Sequence, residues 1–236
     1  MKFNYRVFQL GEDAIVIEMG QDFTKETHLM LNLLRKEIIN QVLPHNCETA
    51  ITFTTLTVYF DKTLLENTNP IEYFSRIIDN FLIQYKNHQV ETKQTIEIPV
   101  CYHKQLAPDL EQVAAMNGLT IEELIHIHTK ETYFVSYFDF GQDIPFIGGV
   151  NKNLSVPRKK GIQVNIPYGV VGITGSQTGI YPINSTVGWQ IIGRAPSRVL
   201  NQLRLSMEPG SDVRFYPITL EQFYEFELQH IQSDIS

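Results

Sequence analysis

IPYGVVGITGSQTGIYPINSTVGWQIIGR, residues 166–194, holds six of the chain's 14 glycines: Gly169, Gly172, Gly175, Gly179, Gly188 and Gly193. Each apolar run between them is only a few residues long. Glycine permits positive φ and close approach of the backbone to another group. Short apolar runs broken by glycine predict strands joined by tight turns or bulges, not helices. The polar residues left over include Ser176, Gln177, Thr178, Tyr181, Asn184 and Arg194, types that hold a small polar ligand. The stretch is either a tightly turned piece of β-barrel or that plus a binding surface.

Working outward, residues 133–218 read almost entirely as short strands and turns, the pattern of a barrel or sandwich. Two short helices precede them, residues 108–117 and 121–130. Gly118 suits the stop of the first, and Thr120 with Glu123 makes a capping box for the second. Residues 95–102 alternate like a strand. Residues 86–93, KNHQVETK, form the expected linker. Before it, residues 3–8 and 14–19 read as strands around Gly11-Glu12-Asp13, and residues 24–42 as a helix with an apolar face. Residues 51–60, ITFTTLTVYF, read as one strand. Asn69-Pro70-Ile71-Glu72 then opens a helix. The expected order is a small α+β domain (1–88), a mainly-β barrel domain (94–220) and an acidic C-terminal tail (221–236), in which a last helix and a loose tail both stay open.

The 236 residues carry 19 Lys and Arg against 26 Asp and Glu, a formal charge of −7. That balance argues against nucleic acid, whose phosphates need a basic excess. No apolar run approaches the ~20 residues of a membrane span. The opening residues lack the apolar core of a signal peptide. The two cysteines, Cys47 and Cys101, are therefore expected as free thiols in a cytoplasmic protein.

Chemical motifs are few. No Lys-Ser or Lys-Thr follows a glycine as in a phosphate loop, and Gly172, Gly175 and Gly179 lack dinucleotide spacing. His126 and His128, two apart on a helix, point to different faces, so no metal site is expected. Asp139 and Asp143 flank Gly141 and suit either an acid–base pair or a solvated turn. Arg158-Lys159-Lys160 suits a solvated surface or an anion contact, and Arg194 a bidentate clamp.

Several motifs, in order, carry a resemblance. They are Gly11-Glu12-Asp13-Ala14, Pro99-Val100-Cys101-Tyr102, Pro108-Asp109-Leu110, Asn117-Gly118-Leu119, His128-Thr129, Gly148-Gly149 and Pro157-Arg158. They continue with Gly172-Ile173, Gln177-Thr178-Gly179-Ile180-Tyr181-Pro182, Gly188-Trp189, Ile192-Gly193-Arg194 and the run from Pro209 to Phe215. Together they resemble the family of the B subunit of bacterial 5-oxoprolinase, also called KipI-like or allophanate hydrolase subunit 1. The match is dense over residues 98–218. The resemblance implies a cyclophilin-like β-barrel behind a small α+β domain, in a cytoplasmic protein. It implies an ATP-dependent opening of 5-oxoproline to glutamate, active only with A-type and C-type subunits, with ATP as co-substrate and Mg at the level of the complex. His128, Arg158, Gln177, Thr178, Tyr181, Trp189 and Arg194 are the implied substrate or nucleotide contacts. The family's alternative roles are inhibition of a sensor histidine kinase and a non-catalytic scaffold. Relatives carry Gly-Phe-x-Pro-Gly-Phe-x-Tyr where this chain has residues 139–146, DFGQDIPF. The added acids there would repel an anionic nucleotide unless a metal intervened.

Overall fold

The structure is a computed structural model that describes residues 4–20, 24–41, 47–65, 68–85, 95–138, 145–161, 163–175, 177–181, 185–204 and 206–228. The chain divides into two compact units, residues 1–92 and 93–236. The expected linker, residues 86–93, lies outside the described residues.

In the first unit β1 (Tyr5–Leu10) and β2 (Ala14–Met19) form a hairpin whose turn starts at Gly11. Helix α1 (Lys25–Gln41) follows, then β3 (Cys47–Ile51), β4 (Thr55–Phe60) and helix α2 (Pro70–Tyr85). The antiparallel sheet runs β1-β2-β4-β3. The strand expected over 51–60 is thus the end of β3, a turn and β4. The turn closes because the Thr52 N–H donates to the Thr55 carbonyl at 2.9 Å, with the two hydroxyls 2.5 Å apart. Asn69 opens α2 as its sequence predicts, its Oδ1 accepting from the Ile71 N–H at 2.9 Å. Ile15, Ile17, Leu56 and Val58 on one sheet face pack with Leu31, Leu34, Phe74 and Ile78 of the helices. Burying each such side chain stabilises by about 1.5–3 kcal/mol.

The second unit opens with β5 (Ile96–Cys101), α3 (Leu110–Met116) and α4 (Ile121–Lys130). Thr120 and Glu123 form the expected capping box. Then come β6 (Tyr133–Phe138), β7 (Pro145–Gly148), β8 (Gln163–Ile166), β9 (Val170–Thr174), β10 (Gln177–Tyr181), β11 (Ser185–Val187) and β12 (Gln190–Arg194). Helix α5 (Ser197–Arg204), β13 (Asp212–Ile218) and α6 (Leu220–Leu228) complete it. The barrel closes in the order β10-β7-β6-β13-β5-β12-β9, and β8 pairs with β11 apart from it. This is the expected α+β unit followed by a mainly-β cyclophilin-like barrel.

One feature departs from the strand-and-turn pattern expected over residues 133–218. Helix α5 interrupts it, its first turn held by Glu227, whose carboxylate accepts from the Ser197 N–H at 2.8 Å and hydroxyl at 2.6 Å. At the start of the expected tail the last helix that the sequence left open is present as α6; residues 229–236 lie outside the described residues. Strand β13 pairs parallel with β5, so strands more than 100 residues apart in sequence stand side by side. The barrel interior is filled by Ile98, Val100, Val135, Ile147, Val171, Ile173, Ile180 and Phe215, all at most 1% exposed.

Candidate functional site

His128, in the last turn of α4, is fully buried among the barrel's aromatic residues. Its ring stacks on Phe215 with centroids 4.7 Å apart. The Thr178 hydroxyl donates to the Gly172 carbonyl at 2.9 Å, so a lone pair is left to face His128 Nε2 at 3.5 Å. That network puts the imidazole proton on Nε2 and leaves Nδ1 to accept from the Tyr102 hydroxyl at 2.7 Å. The Tyr133 hydroxyl donates to the His128 carbonyl at 2.8 Å. Burial pushes the His128 pKa down to about 3, so the ring is neutral near pH 7. The same burial, with Tyr133 nearby, raises the Tyr102 phenol well above its ordinary value. His128 and Thr178, expected as ligand contacts, are joined to each other inside the barrel with their polar atoms already engaged. His126 is exposed on the other side of the helix, which separates the two histidines as their spacing requires.

The opposite, outer face of the same strands gathers a different set. Thr178 and Ile180 point inward, so Gln177, Gly179 and Tyr181 face outward by the two-residue alternation of a strand. Register carries this across the sheet, where Gly179 lies opposite Gly172 and Phe146, and Tyr181 opposite Val170. Trp189 makes edge contacts with Phe146 at 5.3 Å and Tyr181 at 5.8 Å between centroids. With Ile166, Val170 and Ile191 these rings form an apolar cluster separate from the main core. Gly172 makes room for it: a Cβ there would sit 3.2 Å from the Trp189 Cβ. Beside this floor Gln177 is 5% exposed, and its Nε2 has no hydrogen-bond partner among the described residues. A buried donor left unpaired costs about 1–3 kcal/mol.

The cations take separate places. Arg194 lies opposite Val170 at the far end of this outer face, four residues or about 13 Å along the strands from the Gln177 row. Its guanidinium turns away: Nε donates to the Tyr168 carbonyl at 2.8 Å, and Cζ lies 5.4 Å from the Phe223 ring centroid of α6. Arg158 is exposed on the segment leading to β8. Lys159 is not a solvated lysine; its Nζ lies 2.6 Å from Asp109 Oδ1, with side chains 16% and 8% exposed. Its backbone N–H donates to the Gly188 carbonyl at 2.9 Å, placing the Arg158-Lys159-Lys160 run beside Trp189. Asp109 and Gln190 were not among the expected site residues. Gln190 is buried inside the barrel, with Nε2 3.3 Å from the Pro157 carbonyl and Oε1 unpartnered. Among the described residues no three His, Cys, Asp or Glu side chains come together as a metal site. Asp139 and Asp143 lie outside the described residues. Cys47 and Cys101 are free thiols, Cys101 fully buried. Among the described residues no helix is long and apolar enough to cross a membrane.

Residues 5–209 match the family described as carboxyltransferase domain, subdomain C and D. The chain is 33% identical over 236 residues to the B subunit of 5-oxoprolinase from Bacillus subtilis, covering 96% of this chain and 98% of that relative. The chain belongs to the family of 5-oxoprolinase B subunits. A second member, from Escherichia coli O157:H7, is 29% identical over 216 residues, 90% of this chain and 95% of its own length. Among solved structures, a conserved uncharacterized protein from Pyrococcus horikoshii is 32% identical, with a TM-score of 0.52 over 92% of this chain and all of that one. Urea carboxylase of Kluyveromyces lactis aligns with a TM-score of 0.66 over 94% of this chain and 22% of its own, at 16% identity, a likeness of fold alone. The run Gln177 to Tyr181, one of the motifs on which the resemblance rests, is β10, and its outward residues with Trp189 make the candidate site.

Proposed function

We propose that this chain is the B subunit of an ATP-dependent 5-oxoprolinase, working in the cytoplasm and active only with A-type and C-type partner subunits. The observation that carries the reading is the near full-length match to relatives named as B subunits of 5-oxoprolinase. The outer barrel face supports it chemically. The lactam of 5-oxoproline is a poor electrophile; transfer of the ATP γ-phosphoryl group to its oxygen, releasing ADP, lets water add at that carbon, and opening of the C–N bond with loss of phosphate gives glutamate. Gln177 Nε2, a buried donor without a partner among the described residues, suits the lactam or carboxylate oxygen of such a ring. Trp189 and Tyr181 supply an apolar wall beside it. Arg158 and Lys160, exposed beside Trp189, suit contact with phosphate. A magnesium ion accompanying ATP has no ligand cluster among the described residues and is assigned to the complex as a whole.

The test is reconstitution. Purified chain alone is expected to release no ADP in the presence of 5-oxoproline. The chain with its A-type and C-type partners is expected to couple ADP release to glutamate formation. Three-subunit mixtures without 5-oxoproline-dependent turnover would sink the proposal. A scaffold role is the second reading. It is favoured by one observation: His128, the fully buried histidine of the barrel, is neutral and already hydrogen-bonded, so it supplies no free acid or base.

A further inference from the structure

Strand β12 closes the barrel against β5 through a single register pair, Arg194 with Cys101, among the described residues. Ahead of that pair its edge is held by other groups. The Ile191 N–H donates to Asp109 Oδ2 at 2.6 Å, and the Ile191 carbonyl accepts from the Asp109 N–H at 3.0 Å. The Gly188 carbonyl accepts from the Lys159 N–H at 2.9 Å. Lys159 Nζ and Asp109 Oδ1, 2.6 Å apart, join the two holds. Trp189 sits between the two held residues, and the ion pair, whose members are 50 residues apart in sequence, links the segments that hold them.

Two features make this more than packing. Asp109 stands at the N-cap of α3, a position where its carboxylate would ordinarily accept from the helix's own N–H groups, yet no such bond forms. The carboxylate is spent instead on β12 and Lys159, a local rule broken where a site is being shaped. A buried ion pair is also a weak source of stability, because apolar residues of similar volume often do as well. What it supplies here is direction and register.

We propose that Asp109 and Lys159 are positioning residues that fix residues 188–191 and so the orientation of the Trp189 ring on the ligand-facing side of the barrel. This rests on the reading of that outer face as the substrate site. Trp189 is the chain's only tryptophan, so its fluorescence reads the ring without background.

The experiment compares full-length Lys159→Met, Asp109→Asn, the double variant and the conservative Lys159→Arg. Expected for the Met, Asn and double variants are an unchanged far-UV circular dichroism spectrum and a cooperative melt. Their Trp189 emission shifts to longer wavelength, with easier acrylamide quenching. Lys159→Arg restores both. In the reconstituted complex kcat/KM for 5-oxoproline falls on the order of 10- to 100-fold, KM rising more than kcat falls. Unchanged emission and quenching in the Met, Asn and double variants overturns the proposal. So does a change that merely tracks lost thermal stability and that Lys159→Arg fails to restore. The double variant leaves no lone buried charge, which keeps the comparison open should a single variant unfold. An inactive wild-type complex would count against the proposed function, while the emission of the isolated chain would still decide the role of the pair.

Discussion

His128 shows how burial changes the meaning of a residue. Its imidazole is held neutral, with a folded pKa of about 3 against an ordinary value of 6.5. The unfolded chain therefore binds the proton first as pH falls. Stability contributed by the neutral ring is present above about pH 6.5 and is lost on acidification towards pH 3, at up to about 1.4 kcal/mol per pH unit inside that window. Urea unfolding at a series of pH values should show a steeper acid loss for the wild type than for His128→Asn; equal slopes would contradict the assignment. Gly169 gives a second residue-scale expectation. Its φ is +84°, and an added Cβ would lie 2.2 Å from the Ala195 carbonyl oxygen. Gly169→Ala should destabilise by about 1–3 kcal/mol or more, read as a lowered melting temperature.

Among the elements, those with local signals were the legible ones. Helix α4 announces itself through Thr120 and Glu123, and Thr120→Ala should cost about 0.5–2 kcal/mol of stability with no change in ligand binding. The loop between β1 and β2 was equally plain, because Gly11 takes the positive φ that its turn needs. The single strand expected over 51–60 was not, since the Thr52–Thr55 turn uses threonines, which also favour strands. Helix α5 was missed because its N-terminus is held by Glu227, 30 residues away. Arg194 belongs at this scale too. Its bonds to the Tyr168 carbonyl and the Phe223 ring tie β12 to α6. Arg194→Ala should lower stability by about 1–3 kcal/mol. The sequence predicts a mainly ligand-binding role for Arg194; a variant with normal melting and weakened substrate binding would restore that reading.

In the whole molecule the two units keep separate cores. One draws on residues between Ile15 and Tyr85, the other on residues between Ile96 and Phe215, and among the described residues none belongs to both clusters. Residues 93–236 expressed alone should therefore melt cooperatively with barrel-like circular dichroism; a molten, dye-binding fragment would show that the first unit is required. Amino-acid order by itself determined the barrel class, the glycine-dependent turns, the capped helices and the family, because propensity, capping and motif spacing are local properties. Only the tertiary structure decided which side of the wall each polar residue takes. Gln177 and Thr178 are neighbours in sequence, yet one faces the aromatic outer cluster and the other meets His128 within. Strand alternation sets that difference, but its sense depends on a register shared with β7, β9 and β12. The same holds for the parallel pairing of β5 with β13 and for Asp109 meeting Lys159. Each is a contact between distant segments, fixed when burial of the barrel's apolar face selects one closure of the sheet.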